Sequence, residues 1–287
     1  MSLIRVVSYN IHKGRSALGN RESLNELRLG LYGLRPDLVF LQEVQGRNEQ
    51  HSKQHAQHES LAAALRLNVA YGCNAIRDRT DHGNALLSRY EILDHENQDI
   101  SDHRLEQRGL LHARVLIDDR PVHCFVVHLG LFAGSRTRQI TALMERIAQQ
   151  VPDHEPILIA GDFNDWNDRL APLFVQQLGV VEVFANAPRS HGGELPRLRD
   201  SVRRIGNALR GLPNALHLQE RNNQLGMEGA AYCPLPPPRT FPAVFPWFRL
   251  DRIYQRGFAV RSARVLRGRE WSRLSDHSPL LAELELP

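Results

Sequence analysis

The run Val122–Leu129 constrains the fold more than any other stretch of the chain. Side chains alternate across a strand, so one face carries Val122, Cys124, Val126 and His128 and the other His123, Phe125, Val127 and Leu129. Apolar groups on both faces require a sheet that is covered on both sides. Further strand-like runs occur at Leu3–Ile11, Asp37–Glu43, Asn68–Asn74, Asn84–Ser88, Gly109–Ile117, Pro156–Ala160, Arg249–Gln255, Ala259–Leu266 and Pro279–Leu286. Helical stripes fall between them at Ser23–Leu34, Glu59–Leu67 and Gln139–Gln150. The expected class is α/β: two mixed sheets packed together, with helices outside.

With 287 residues, 42% of them hydrophobic, the chain can bury a large core without disulfides. Its cysteines, Cys73, Cys124 and Cys233, have no metal-type spacing. Cys124 reads as a buried thiol. The formal net charge is +4, carried almost wholly by arginine, which is compatible with an anionic partner without demanding one. Met1–Asn10 lacks the charged start and long apolar centre of a secretory signal. No apolar run approaches the length of a membrane span. The cytoplasm is the expected location.

Chemistry concentrates where apolar strands end. Leu158–Ala160 runs into Gly161, Asp162, Phe163 and Asn164. Side chains at i and i+2 point the same way from an extended backbone, so Asp162 and Asn164 can aim at one point. Four other places share this grammar. Asn10 closes the first strand, Glu43 follows Leu38–Gln42, His128 follows Phe125–Val127, and Asp276 and His277 stand before Ser278 and Pro279. Asp251 adds an acid inside an apolar strand.

Phosphodiester hydrolysis needs a cation against the phosphoryl charge, a base for water, and donors for the transition state. Carboxylates with amides suit Mg²⁺, with Mn²⁺ as a substitute. Glu43 is the first expected metal ligand, with Asn10 and Asp276 nearby. Asp162 is the expected base, Asn164 positions water or a phosphoryl oxygen, and His128 and His277 donate to phosphate. Each alone has a plainer reading: a solvated strand end for Glu43, a hydrogen-bonded core histidine for His128, a partner of Arg249 for Asp251. The histidines at 51, 55 and 58 stand at helical intervals that suit zinc, but their flanks are polar and read as a solvated loop or helix.

Residues 186–238 differ in composition and end in Pro234–Pro238. Within them, Arg197–Leu212 has apolar residues on one helical face and arginines on much of the remainder. That pattern fits a helix on an anionic membrane surface; it equally fits a helix packed on its own domain.

Taken in order, the segments SYNIHKG, LQEV, VVHLGL, GDFNDW, LDRIY and SDHSPL resemble the DNase I-like endonuclease/exonuclease/phosphatase superfamily. The segments NIHKG, HGNALLSRY and RTFP are similar to its YbhP-like bacterial branch. The resemblance covers nearly the whole chain. It implies a single domain of four α/β/β/α layers, with 186–238 an insertion and the site at one end of the sheets. It implies the same roles for Glu43, Asn10, Asp276, Asp162, Asn164 and His128, and it pairs Asp251 with His277. The implied activity is phosphoester hydrolysis of the phosphodiesterase or nuclease type. Nucleic acid and phospholipid or inositol-phosphate head groups compete as substrates. A non-catalytic phosphate-binding module is a remote alternative, because no chemical group is missing.

Overall fold

The computed structural model describes residues 2–51, 54–103, 106–166, 171–187 and 237–287. Among them, twelve strands form two six-stranded mixed sheets. The strands are β1 (Ser2–Asn10), β2 (Leu38–Asn48), β3 (Asn68–Ile76), β4 (Thr80–Ser88), β5 (Glu91–Asp99), β6 (Gly109–Ile117), β7 (Arg120–His128), β8 (Ile157–Asp162), β9 (Val181–Glu182), β10 (Asp251–Arg256), β11 (Ala259–Val265) and β12 (Leu280–Leu286). One sheet has the order β11-β12-β1-β2-β4-β3 and the other β5-β6-β7-β8-β10-β9. The helices are α1 (Leu24–Leu34), α2 (Gln57–Leu65), α3 (Ala133–Gln150), α4 (Ala171–Leu178) and α5 (Val183–Asn186).

Three apolar clusters produce four layers. Ile4, Val6, Phe40 and Leu86 of the first sheet face Val115, Cys124, Val126 and Leu158 of the second. On the outer face of the first sheet, Val7, Val39 and Leu87 pack under Leu27 and Leu31 of α1 and Leu61 of α2. On the outer face of the second, Phe125, Val127 and Ile159 pack under Ile140, Leu143 and Ile147 of α3. The alternation within β7 thus divides as the sequence requires, with Cys124 buried between the sheets.

A buried polar group crosses the apolar centre. Asn84 of β4 is fully buried, and its Nδ2 donates to the carbonyls of Gly109 (2.9 Å) and Val126 (3.3 Å) in the opposite sheet. Burying an amide is tolerable when hydrogen bonds replace water.

The parallel pairs β1–β2 and β7–β8 are spanned by α1 and α3, respectively, as a parallel crossover demands. Each pair brings two strand C-termini to the same edge of its sheet.

Several expectations shift. β2 continues five residues past Glu43, because a register shift between Leu41 and Val44 absorbs that residue. α3 begins at Ala133, a turn and a half before the expected Gln139. β5 was not expected: its sequence is polar and mostly exposed, as suits a sheet edge. Of the compositionally distinct stretch 186–238, all but its end residues, the helix candidate Arg197–Leu212 included, lies outside the described residues. No helix among the described residues is long and apolar enough to cross a membrane.

Candidate active site

Asp162 ends β8 and is opposed by His128 of β7 on one side and Asp251 of β10 on the other. The register alone therefore puts three of the expected residues side by side. Gly161 precedes Asp162 with φ 151°, and a Cβ there would lie 1.9 Å from the carbonyl oxygen of Val127. Only glycine lets the strands approach so closely at this point.

Asp162 is buried. Its Oδ1 accepts from the Asn164 backbone N–H at 3.0 Å, and its Oδ2 accepts from Asn10 Nδ2 at 3.2 Å. Nε2 of His128 lies 3.6 Å away and Nε2 of His277 3.7 Å away. Both separations exceed a direct hydrogen bond, so neither imidazole is committed to Asp162. Burial pushes the Asp162 carboxyl up to about 6, against the opposing influence of His277.

The two histidines carry opposite electrostatic settings. Burial alone would lower His277, but the Asp251 and Asp162 carboxylates outweigh it and push it up to about 10. His277 Nδ1 sits 2.9 Å from Asp251 Oδ2. Burial, then the Arg108 guanidinium, hold His128 well below its ordinary value. At neutral pH one ring is an imidazolium and the other a neutral imidazole.

Glu43 comes from the first sheet. Its φ of 53° places it in the left-handed region, as does that of Asn164 at 49°. Such conformations cost energy and persist where the surroundings enforce them. The strand bulge at Glu43 turns its carboxylate out of the ladder. Asn10 Nδ2 lies 3.5 Å from Glu43 Oε1, and Lys13 Nζ lies 3.2 Å from Oε2. Burial would raise the Glu43 carboxyl; the His128 ring when protonated, and the Lys13 ammonium at every pH where that ring is neutral, outweigh it and hold the group below the usual carboxylate range. Asp276 joins from the loop before β12. Its Oδ1 stands 3.2 Å from Ser275 Oγ and 3.7 Å from His12 Nδ1, and the Ser275 hydroxyl has its shorter contact, 2.7 Å, with the Asn10 carbonyl.

These contacts bring Asn10, Glu43, His128, Asp162, Asn164, Asp251 and His277 together, with Asp276 adjoining through Ser275 and His12; two details differ from expectation. β8 stops at Asp162 and the chain turns, so Asn164 does not follow by extended alternation. Its Nδ2 donates to the Leu129 carbonyl at 2.9 Å, tying the ends of β7 and β8 together. Asn10 presents its N–H side to the carboxylates, while its Oδ1 accepts from the His12 backbone N–H at 3.1 Å.

Glu43, whose carboxyl is held below the usual range, offers hard oxygens that fit a divalent cation, while Asn10 turns donors rather than its amide oxygen toward the carboxylates. The Lys13 ammonium against Glu43 marks the same spot as one that favours positive charge. Among the described residues, ligand atoms of Asp162, Asp251 and His277 also lie within 4.8 Å of one another. That group suits proton holding better than ion binding, because Asp251 is engaged with a protonated ring. The histidines at 55 and 58 do not join a metal group: His55 Nδ1 accepts from the Asn48 N–H, and His58 stacks on Tyr71.

A cleft of about 350 Å³ opens onto this constellation. Its polar side is formed by Glu43, Arg108, His128, Asp162, Asn164 and His277; its apolar side by Leu131, Trp166, Phe241, Phe248 and Leu250. Arg108 and Lys13 were not identified from sequence as site residues. Lys13 carried a signal, being one of two lysines in an arginine-rich chain.

The profile of the Endonuclease/Exonuclease/phosphatase family matches residues 7–277. The YbhP protein of Escherichia coli K12 is 35% identical over 290 residues, covering 98% of this chain and 96% of that one. An endonuclease/exonuclease/phosphatase from Bacteroides vulgatus superposes with a TM-score of 0.69 at 16% identity, covering 100% of both chains. D. rerio TDP2, solved with a single-strand DNA product, superposes with a TM-score of 0.62 at 18% identity, covering 99% of this chain and 100% of that one. At these identities the solved structures establish the shared four-layer fold. The profile and the YbhP relative establish descent as well: this chain belongs to the endonuclease/exonuclease/phosphatase family.

Proposed function

We propose that this chain is a Mg²⁺-dependent phosphodiesterase in which Asp162 activates the attacking water. The observation that carries the reading is the position of Asp162, a buried carboxylate within 4 Å of two imidazoles and hydrogen-bonded to Asn10. With its carboxyl raised to about 6, Asp162 is ionised at neutral pH and more basic than an ordinary aspartate. It takes a proton from water as the water oxygen bonds to phosphorus. The P–O ester bond breaks, and the departing oxygen takes up a proton from solvent.

His277, kept cationic by Asp251, and His128, a neutral donor through one N–H, face the phosphoryl oxygens. Asn164 holds Asp162 through its backbone N–H and fixes the loop on which both stand. Glu43 would hold the ion, with Asp276 the next carboxylate to join it, and Asn10 positions Glu43 and Asp162 through its N–H groups. When bound, the ion supplies charge neutralisation at the phosphoryl group. TDP2's single-strand DNA product makes nucleic acid one substrate class to test, and phospholipid head groups are the other.

The deciding assay follows bis-p-nitrophenyl phosphate with Mg²⁺ or Mn²⁺, comparing wild type with Asp162→Asn prepared in parallel. Turnover by wild type alone supports the proposal. Equal turnover by both proteins removes Asp162 as the base, and turnover by neither removes the phosphodiesterase.

A further inference from the structure

The apolar side of the cleft does not stop at its rim. Leu131, Trp166 and Phe248 line the cleft yet are 54%, 41% and 46% exposed. Phe132, Val244 and Phe245 continue outward at 64%, 72% and 57%, and Leu18 reaches 86%. Leu18 and Val244 line one groove of about 340 Å³, and Phe245 packs edge-on to Trp247 at 5.2 Å. Single exposed apolar residues are ordinary, whereas a contiguous patch marks a contact surface.

The loop that carries this patch is held in place. Trp247 and Phe248 both donate backbone N–H bonds to the Phe241 carbonyl, at 2.7 and 2.8 Å, and Phe245 donates to Pro242 at 3.1 Å. Ala243 N–H donates to the Asp276 carbonyl at 2.6 Å, joining the loop to the proposed metal side of the site. Its apolar tips are therefore presented outward from an ordered backbone. Arginines flank them. Arg21, paired with Glu26, and the exposed Arg273 line the same groove as Leu18 and Val244. On the other side of the mouth, Arg136 is buried, donates to the Gly130 and Leu131 carbonyls at 3.2 and 2.6 Å, and lies over Trp166 at 5.1 Å, which holds that ring in place at the rim.

We propose that this rim docks the protein on an anionic lipid surface, so that the site acts on phosphodiesters of phospholipid head groups. The inference rests on the phosphodiesterase reading and names its substrate class. Aliphatic and aromatic tips beside guanidinium groups suit insertion among acyl chains under anionic head groups. The exposed aromatics Trp166, Phe245 and Phe248 suit acyl chains and bases alike, whereas the aliphatic tips Leu18, Leu131 and Val244 give bases nothing to stack on, and that balance favours lipid over single-stranded nucleic acid. Continuity of the rim with the cleft would bring head groups, rather than distant solutes, to Asp162.

The test is flotation of the full chain with vesicles of phosphatidylcholine, alone or equimolar with phosphatidylglycerol. Wild type is expected to float with the anionic vesicles. The double variant Val244→Asp/Phe245→Asp should lose about tenfold or more of that bound fraction. The conservative pair Val244→Leu/Phe245→Trp should keep it. Both variants should keep the wild-type thermal melt by circular dichroism, which shows that they fold, and should hydrolyse bis-p-nitrophenyl phosphate as wild type does.

Wild type that fails to float, a second copy covering the face included, overturns the proposal. So does an aspartate variant that floats unchanged, one whose only defect is in single-stranded DNA binding, or one that converts a dimer to a monomer on size exclusion. Flotation is read without turnover, so an inactive protein would sink the phosphodiesterase reading and leave the docking result standing.

Discussion

His277 presents one ring nitrogen to each of two buried carboxylates: Nδ1 lies 2.9 Å from Asp251 Oδ2, and Nε2 lies 3.7 Å from Asp162 Oδ2. The first contact is a hydrogen bond and the second a longer electrostatic contact. The ring is thus fixed by Asp251 and left available on the face that meets the cleft.

Replacing Asp251 should expose this arrangement in a pH profile. His277 is cationic below its raised value of about 10, and activity that needs the imidazolium falls as pH rises through that value. In Asp251→Asn the largest opposing carboxylate is gone and burial dominates, so the basic limb should move to lower pH. At neutral pH, kcat should drop about 10²-fold. An unmoved basic limb would detach His277 from the reaction.

Asp162→Asn should separate activity from stability. Turnover of a soluble diester should fall by about 10³-fold or more. Wild type should lose activity as pH drops through about 6, where the carboxyl takes up its proton. The folded state raises this carboxyl, so it binds the proton more tightly than the unfolded chain. Wild-type stability therefore declines between roughly pH 4 and 6 as pH rises. Removing the buried charge should leave the melting temperature at pH 8 equal to or above that of wild type. A lower value would mean that Asp162 stabilises the fold, contrary to the desolvation account.

Glu43→Gln removes the ionised oxygen from the proposed cation site. The Mg²⁺ concentration for half-maximal rate should rise about tenfold or more, and calorimetric titration should show weaker Mn²⁺ binding. Unchanged metal requirements would move the ion elsewhere, with the Asp162–Asp251 side the next place to look.

Gly161→Ala tests the backbone that delivers Asp162. The added methyl would meet the Val127 carbonyl at 1.9 Å with φ already at 151°. Urea unfolding should show a loss of about 3 kcal/mol or more. A near-neutral result would show that β7 and β8 can separate at this point.

Legibility in the sequence followed burial. β6 carries apolar residues on both faces and could be delimited directly. β5 could not: Asp94, His95, Glu96 and Asn97 give an edge strand no apolar period. The acids and imidazoles at strand ends were readable because a polar group that follows an apolar run has few structural uses. Lys13 and Arg108 were harder, since a loop cation has many. The orientation of Asn164 was also hidden. Its left-handed backbone goes with contacts to Asp162 and to the Leu129 carbonyl at the end of a different strand, and dipeptide spacing carries no trace of those.

The amide of Asn84 has a consequence beyond its two hydrogen bonds. Glu43 and Asn10 belong to one sheet, while His128 and Asp162 belong to the other. A greasy interface between two sheets resists separation but is indifferent to small sliding. A directional peg driven through it fixes the offset, and with it the spacing between the two halves of the reacting centre. Alignment of the chemistry is thereby anchored from within the sandwich, which leaves the surface loops free to diversify without disturbing it.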